Sequence, residues 1–450
     1  MARAKDSGGA NAPGNLLVLG VAAILAGAGT GFVGGAFRWV LHELDRLRSG
    51  LSGWAQDIPG GILAPVLVCG AAAALAVALV RFSPRSAGSG IGQVEAVYRN
   101  QMMPPPLSVI PVRFAGGSLA IGAGLVLGRE GPTIHMGSAI GLAVARTARM
   151  GRDDVAAMQI ALSGAGLAVA FNAPVGGSLF VFEEVTKSFR WRMVVPTLLG
   201  VAVAVGCARL IIGDKPDFSV SAVSNPPLFL LPLFAVFGAL LGLLGAGYNV
   251  VLMRLLAVAD GLHRLPGTVR GGVIGAAVGA VVFVDPLAVG GGDALTQLLL
   301  AGQAFTVPAL LAYLAIRFLA GPLSYAAAAP GGLFAPLLAL GALAGVLFGE
   351  ACRWVFPQLG DQFGTAMAIV GMSTMFAAVV RAPFTGIVLI IEMTAITTVT
   401  VPMLVAAGAA VLAAMAVRSA PVYDSLRERS LRINPGWKAE PFPPSRGPKS

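Results

Sequence analysis

Eight stretches of the chain, at about residues 15–37, 60–80, 155–182, 193–212, 228–258, 271–290, 365–391 and 400–417, are almost wholly apolar. A helix of about 20 such residues crosses a hydrocarbon core of about 30 Å, and lipid tolerates only a backbone whose polar groups are paired internally. The chain is therefore expected to be an all-helical protein that threads a membrane many times. A β-barrel would need short segments of alternating polarity, and these runs do not alternate. Composition agrees, with 56% hydrophobic and only 12% charged residues, against roughly 25% charged in an average soluble domain. The first run reads as a transmembrane helix rather than a cleaved leader, because so many others follow it.

The net charge of +10 would suggest a nucleic-acid partner in a soluble protein. Here the bases cluster in loops and at the ends, as the positive-inside rule requires, and no nucleic acid is expected. Arg3 and Lys5 precede the first run, while Arg418, Arg427, Arg429, Arg432, Lys438, Arg446 and Lys449 follow the last, so both termini are expected to be cytoplasmic. The segment after Ser419 has room for a helix and a polar end, but not for a regulatory domain of ordinary size. Cys69, Cys207 and Cys352 are too widely spaced for a disulfide framework or a zinc motif. His42, His135 and His263 are likewise too far apart to suggest a metal cluster. No cofactor is implied.

The chain also repeats itself. "FNAPVGGSLFVFEE" (171–184) aligns with "VRAPFTGIVLIIEM" (380–393), setting Pro174, Gly177 and Glu183 against Pro383, Gly386 and Glu392. Upstream of each, Pro132, Gly137 and Gly141 align with Pro336, Gly341 and Gly345. A duplication with a period of about 205 residues follows. The expected organisation is an N-terminal segment 1–14, a first membrane repeat 15–215, a second 228–417, and a C-terminal segment 418–450.

Within the first repeat, "GREGP" (128–132) puts Arg129 and Glu130 between two glycines in apolar sequence. Proline suits the first turn of a helix and glycine suits an irregular lead-in, so a helix is expected to begin near Pro132. The same reading applies to "APGGLFAPLL", where Gly331 and Gly332 precede a new helix, and to "SAGSGIGQVEAV", where Ser89 lies in the lead-in. Irregular backbone at membrane depth must be buried in protein or line a wet cavity. Three helix starts there present unpaired N–H donors and partial positive charge, which attract an anion. "GSGIGQ" lacks the last glycine of a dinucleotide fingerprint, and an enzyme would need a nucleophile with its base or a motif such as HExxH, neither of which is present.

These residues resemble the CLC family of chloride channels and chloride/proton antiporters over about residues 15–430. The matching motifs are "GSGI" (88–91), "GREGP" (128–132), "FNAP" with "EE" (171–184), "GGLFAP" (331–336), "RAPFTG" (381–386) and Tyr423 in "SAPVYDSL". The resemblance implies an inverted repeat of tilted and broken helices, and a homodimer with one anion pathway per subunit, in a cell inner membrane. It places chloride on the Ser89 and Tyr423 hydroxyls and the backbone amides of Leu333 and Phe334. Neutral donors of this kind hold an anion without trapping it.

By the same resemblance Glu130 is the gating glutamate. Ionised, it competes with chloride for a helix start; protonated, it is free to leave. A mutual Arg129–Glu130 pair is the alternative, but adjacent residues leaving a turn tend to point apart. Glu184 matches an internal proton-transfer glutamate, with Glu183 as an aid to water and proton access. Glu95 and Arg113 match a family pair read as a buried structural ion pair, Arg317 reads as structural, and His135 as a helix residue. Two positions depart from the pattern: Gly92 stands where the family usually has proline, and Gln93 where glutamate is common. The implied function is exchange of chloride for protons across the lipid bilayer, with a passive chloride channel as the alternative. A fluoride-exporting relative is disfavoured by the presence of both Ser89 and Tyr423.

Overall fold

The computed structural model describes residues 13–220, 223–262, 264–360 and 362–438, and among them the chain forms seventeen α-helices and no β-strand. His263 and the terminal bases Arg3, Lys5, Arg446 and Lys449 lie outside the described residues. Nine of the described helices are long and apolar enough to cross a membrane, so this is a multi-pass membrane protein. Two of them, Val307–Ala326 and Phe334–Val355, are not among the eight apolar runs, and the last run appears as the shorter helix Thr400–Ala416. The expected runs 155–182 and 365–391 are each broken. In the first, Asn172 adopts a left-handed backbone (φ 50°) after the helix Arg152–Phe171, and a new helix, Pro174–Phe180, starts at once. In the second, Arg381 (φ 73°) separates Gln362–Val380 from Pro383–Thr394. Each proline enters where its missing N–H is not needed.

A helix apolar all round suits either a protein interior or lipid, and the fold uses both. Every residue from Phe363 to Val380 is buried, and Arg152–Phe171 is nearly as enclosed. Outer helices such as Leu63–Val80 and Leu228–Gly261 instead leave Leu67, Leu75, Val236 and Leu240 exposed, a surface that only lipid or another chain would cover. Close approach of helices without a hydrophobic drive needs small residues, and this explains the repeated glycines. A Cβ at Gly137 or Gly141 would collide with the backbone carbonyls of Leu162 and Met158, and one at Gly341 or Gly345 with those of Gly371 and Met367. Each enclosed helix is thus clasped by the glycine face of the helix that begins at the site.

The aligned glutamates are reciprocal. Glu392 accepts hydrogen bonds from the Val175 and Gly176 amides at the start of Pro174–Phe180 (3.0 and 2.7 Å). Glu183 accepts from the Phe384 and Thr385 amides (3.1 and 2.6 Å) and the Thr385 hydroxyl (2.7 Å) at the start of Pro383–Thr394. Glu183 thus has a structural task at a helix start that would otherwise leave donors unpaired, beside the aid to proton access expected of it.

Candidate functional site

Three glycine-bearing lead-ins converge. Gly128 and Gly332 exchange backbone hydrogen bonds of 2.9 and 2.8 Å, while the Gly88 amide donates to Ala329 and the Gly331 amide to Gly88. These contacts bring together the starts of helices Ile91–Tyr98, Glu130–Thr147 and Phe334–Val355. Gly131, in the first turn of the second, abuts both Ser89 and Gly332, where a Cβ would press on their backbones.

The fully buried Glu130 carboxylate lies at the Phe334 helix start, where its Oε1 accepts the Phe334 amide at 2.6 Å; Oε2 has no hydrogen-bond partner in the protein. A Cβ on Gly128 or Gly332 would collide with that carboxylate, so both glycines are needed to admit it. Arg129 turns the other way. Its guanidinium donates to the Ala170 carbonyl (2.7 Å) and pairs with Asp217 (2.8 Å) and Asp293 (3.2 Å), and Asp217 is shared with Arg38 at 2.6 Å. The adjacent charges therefore serve separate networks and do not neutralise each other.

Ser89 and Tyr423 line one cavity of about 110 Å³. Both are buried, and neither hydroxyl makes a well-directed hydrogen bond within the protein, although the two lie close enough to interact with each other. A buried hydroxyl left unpaired costs about 1–3 kcal/mol, so two that face the same space mark it as a place for an acceptor. The Tyr423 ring packs on Phe334 with ring centroids 5.6 Å apart, so Tyr423 stands between the cavity and the Phe334 helix start, while Leu333, Phe334 and Glu130 do not themselves line the cavity. Leu333, wholly buried, immediately precedes that helix.

The expected Glu95–Arg113 pair is not formed. Arg113 donates instead to the carbonyls of Gly88 (2.8 Å), Ser89 (3.0 Å), Arg85 (3.3 Å) and Ala87 (3.4 Å). With Gly88 and Gly90 in left-handed conformations (φ 64° and 82°), the lead-in turns its carbonyls toward one guanidinium. Glu95 pairs with Arg99 at 2.6 Å and with Arg427. Arg317 holds the carbonyls of Leu287, Val289 and Gly290, in keeping with a structural role. His135 is a buried residue of the Glu130 helix.

Glu184 occupies a π-helical turn, Val181–Val185, that continues Pro174–Phe180, and it is buried. Such turns recur at functional sites because they rotate a side chain off the regular helical face. Phe180, four residues earlier, meets the Phe334 ring edge-on at 6.0 Å. The structure adds Tyr325, whose hydroxyl accepts the Ser89 amide at 3.1 Å; nothing in "SYAAAAPGG" singles it out.

Residues 73–415 match the family described as voltage gated chloride channel. H(+)/Cl(-) exchange transporters ClcA from Salmonella arizonae and Citrobacter koseri are each 36% identical to the chain over 428 residues, covering 92% of it and 89% of each relative. A crystal structure of a slow cyanobacterial Cl-/H+ antiporter superposes with a TM-score of 0.85 at 32% identity, covering 92% of this chain and 98% of the other. With a family match over most of its length and relatives of this similarity, the chain belongs to the CLC, or voltage gated chloride channel, family.

Proposed function

We propose that this protein exchanges chloride for protons, with the Ser89 and Tyr423 hydroxyls and the Leu333 and Phe334 amides holding the anion. The observation that carries the reading is the Glu130 carboxylate on the Phe334 amide. That amide is one of the donors assigned to chloride, so carboxylate and chloride compete for it. Protonation removes the charge that holds Glu130 there and lets an anion in; return of the carboxylate expels the anion and releases the proton. One side chain thereby ties anion movement to proton movement, and the named relatives are exchange transporters rather than enzymes.

Glu184 supplies the proton from the cytoplasmic side. Phe180, on the helix that leads into Glu184, meets Phe334, whose amide holds Glu130; in this reading the proton passes from one glutamate to the other on water that enters transiently. The side is supported by charge: Lys187, just past Glu184, pairs with Asp424 of the C-terminal helix at 3.4 Å, which puts the basic 187–192 loop and the basic C-terminal segment on one face. The C-terminal segment is then cytoplasmic, and the bases Arg3 and Lys5 ahead of the first span assign the N-terminus to the same side of a cell's inner membrane. Halves 15–215 and 228–417 act as inverted repeats, a reading supported by the reciprocal Glu183 and Glu392 caps. The functional unit is a lipid-embedded homodimer with one pathway per subunit, as the family resemblance implies.

The test is a flux measurement in liposomes that records chloride and protons together. A chloride gradient that drives protons uphill is the expected result. Chloride gradients that dissipate with no proton movement would overturn the antiport reading and leave a channel.

A further inference from the structure

The two hydroxyls reach their cavity from helices far apart in sequence, and a line of charged side chains on the Glu184 side joins them. Ser89 leads into Ile91–Tyr98, and Tyr423 stands in the first turn of Val422–Ile433. These helices cross at Gly92, where an added Cβ would lie 3.2 Å from the Arg427 amide nitrogen and 3.3 Å from its Cα. Just beyond the crossing, the Arg427 guanidinium pairs with the Glu95 carboxylate; the two side chains are only 10% and 3% exposed. Arg427 also meets Asp424 within its own helix at 2.8 Å. Arg99 reaches the same Glu95 oxygen, Oε1, at 2.6 Å, and Asp424 takes Lys187 at 3.4 Å. Alternating charges thus run from the serine helix through the tyrosine helix to the segment bearing Glu184.

Removing Arg427 would leave the buried Glu95 carboxylate with only Arg99, whose side chain is 36% exposed, so the Arg427 contact ties the serine and tyrosine helices together at their buried side. The crossing also accounts for a departure noted in the sequence. The side chain of a proline at position 92 would press on the Arg427 backbone, and glycine lets the two helices touch.

We propose that Arg427 is a positioning residue of the exchange cycle: through Glu95 and the Gly92 crossing it sets the spacing of the Ser89 and Tyr423 hydroxyls, and through Asp424 it keeps that spacing in register with Glu184. The inference rests on the roles given above to those three residues. A mere staple would contribute to stability alone, whereas a positioning residue also moves chloride affinity and the number of protons carried per chloride.

The full chain is compared as wild type, Arg427→Gln, Arg427→Lys, Glu95→Gln and the Arg427→Gln/Glu95→Gln double variant, by chloride titration calorimetry and by paired chloride and proton flux. Arg427→Gln and Glu95→Gln are each expected to weaken chloride binding about fivefold to tenfold and to lower protons per chloride. The double variant should be no worse than either single one, because both remove the same interaction, and Arg427→Lys should restore most of both readouts. Wild-type affinity and coupling in Arg427→Gln, or a loss in Arg427→Lys as large as in Arg427→Gln, would overturn the proposal. Should Arg427→Gln fail to fold, Gly92→Ala keeps every charge and adds one methyl at the crossing: a drop in chloride affinity of about twofold or more supports the proposal, and unchanged affinity refutes it. A wild type that binds chloride but moves no protons would end the antiport reading, while the calorimetry would still decide the role of Arg427.

Discussion

The Phe334 amide donates to the Glu130 carboxylate, and in the proposed cycle an anion competes for it, so the behaviour of the site turns on the charge of Glu130. Glu130→Gln removes that charge for good and is expected to leave chloride flux, abolish coupled proton movement and flatten the pH dependence of transport; liposome fluxes between about pH 4 and 7 check this. Gly332→Ala tests the same point with the carboxylate intact, because its methyl would occupy the space of the Glu130 side chain; chloride flux should again lose much of its pH dependence. Ser89→Ala and Tyr423→Ala each delete one hydrogen bond to a charged partner, worth about 1.5–3 kcal/mol before water fills the gap. Calorimetry should show chloride binding weakened in both. At this scale the sequence was readable where a residue type has one plausible task at membrane depth: Glu130 between glycines, and Ser89 in a glycine-rich lead-in. It was not readable where buried charges choose among partners. Arg113 and Glu95 have matching charges, but left-handed glycines offered Arg113 four carbonyls, and Glu95 found Arg99 and Arg427 instead.

Two short helices, Pro174–Phe180 and Pro383–Thr394, start where their free amide donors are handed to a carboxylate of the other half. The reciprocal caps make Glu183 and Glu184 neighbours with different tasks, and mutation should separate them. Glu184→Gln is expected to stop proton transport while chloride still passes, because an amide cannot release and rebind the proton. Glu183→Ala should instead keep coupling and cost about 1–2 kcal/mol of stability, the usual loss when a helix start is uncapped, read as a lower unfolding midpoint in detergent. Glu392→Ala should match it. The apolar runs revealed that spans exist but not where they break, since Asn172 and Arg381 interrupt the backbone without interrupting the surrounding hydrophobicity. The span Val307–Ala326 is hidden in the sequence for the opposite reason: Arg317 dilutes the run, although its charge is taken up by buried carbonyls.

For the molecule as a whole, the site is a junction rather than a local motif, and ligand binding should be felt globally. A ligand that binds only the folded state adds about 2.7 kcal/mol when present at 100 times its dissociation constant. Thermal unfolding in detergent is therefore expected to shift upward with chloride relative to a large organic anion, and the shift should shrink in Tyr423→Ala. Repeat structure was visible in the spacing of prolines, glycines and glutamates, because duplicated packing keeps duplicated residues; that Glu183 and Glu392 reach across to each other's helices was not, since alignment gives equivalence and not contact. The crossed caps bear on how the protein is made. Val175 and Gly176 precede Glu392 by 217 and 216 residues, and at a synthesis rate of about 5–20 residues per second that interval lasts about 10–40 s. During it the nascent first half holds a helix start whose amides have no carboxylate to receive them, so it must borrow water or the insertion machinery as a chaperone, and maturation of the pathway waits for nearly the last helices to leave the ribosome.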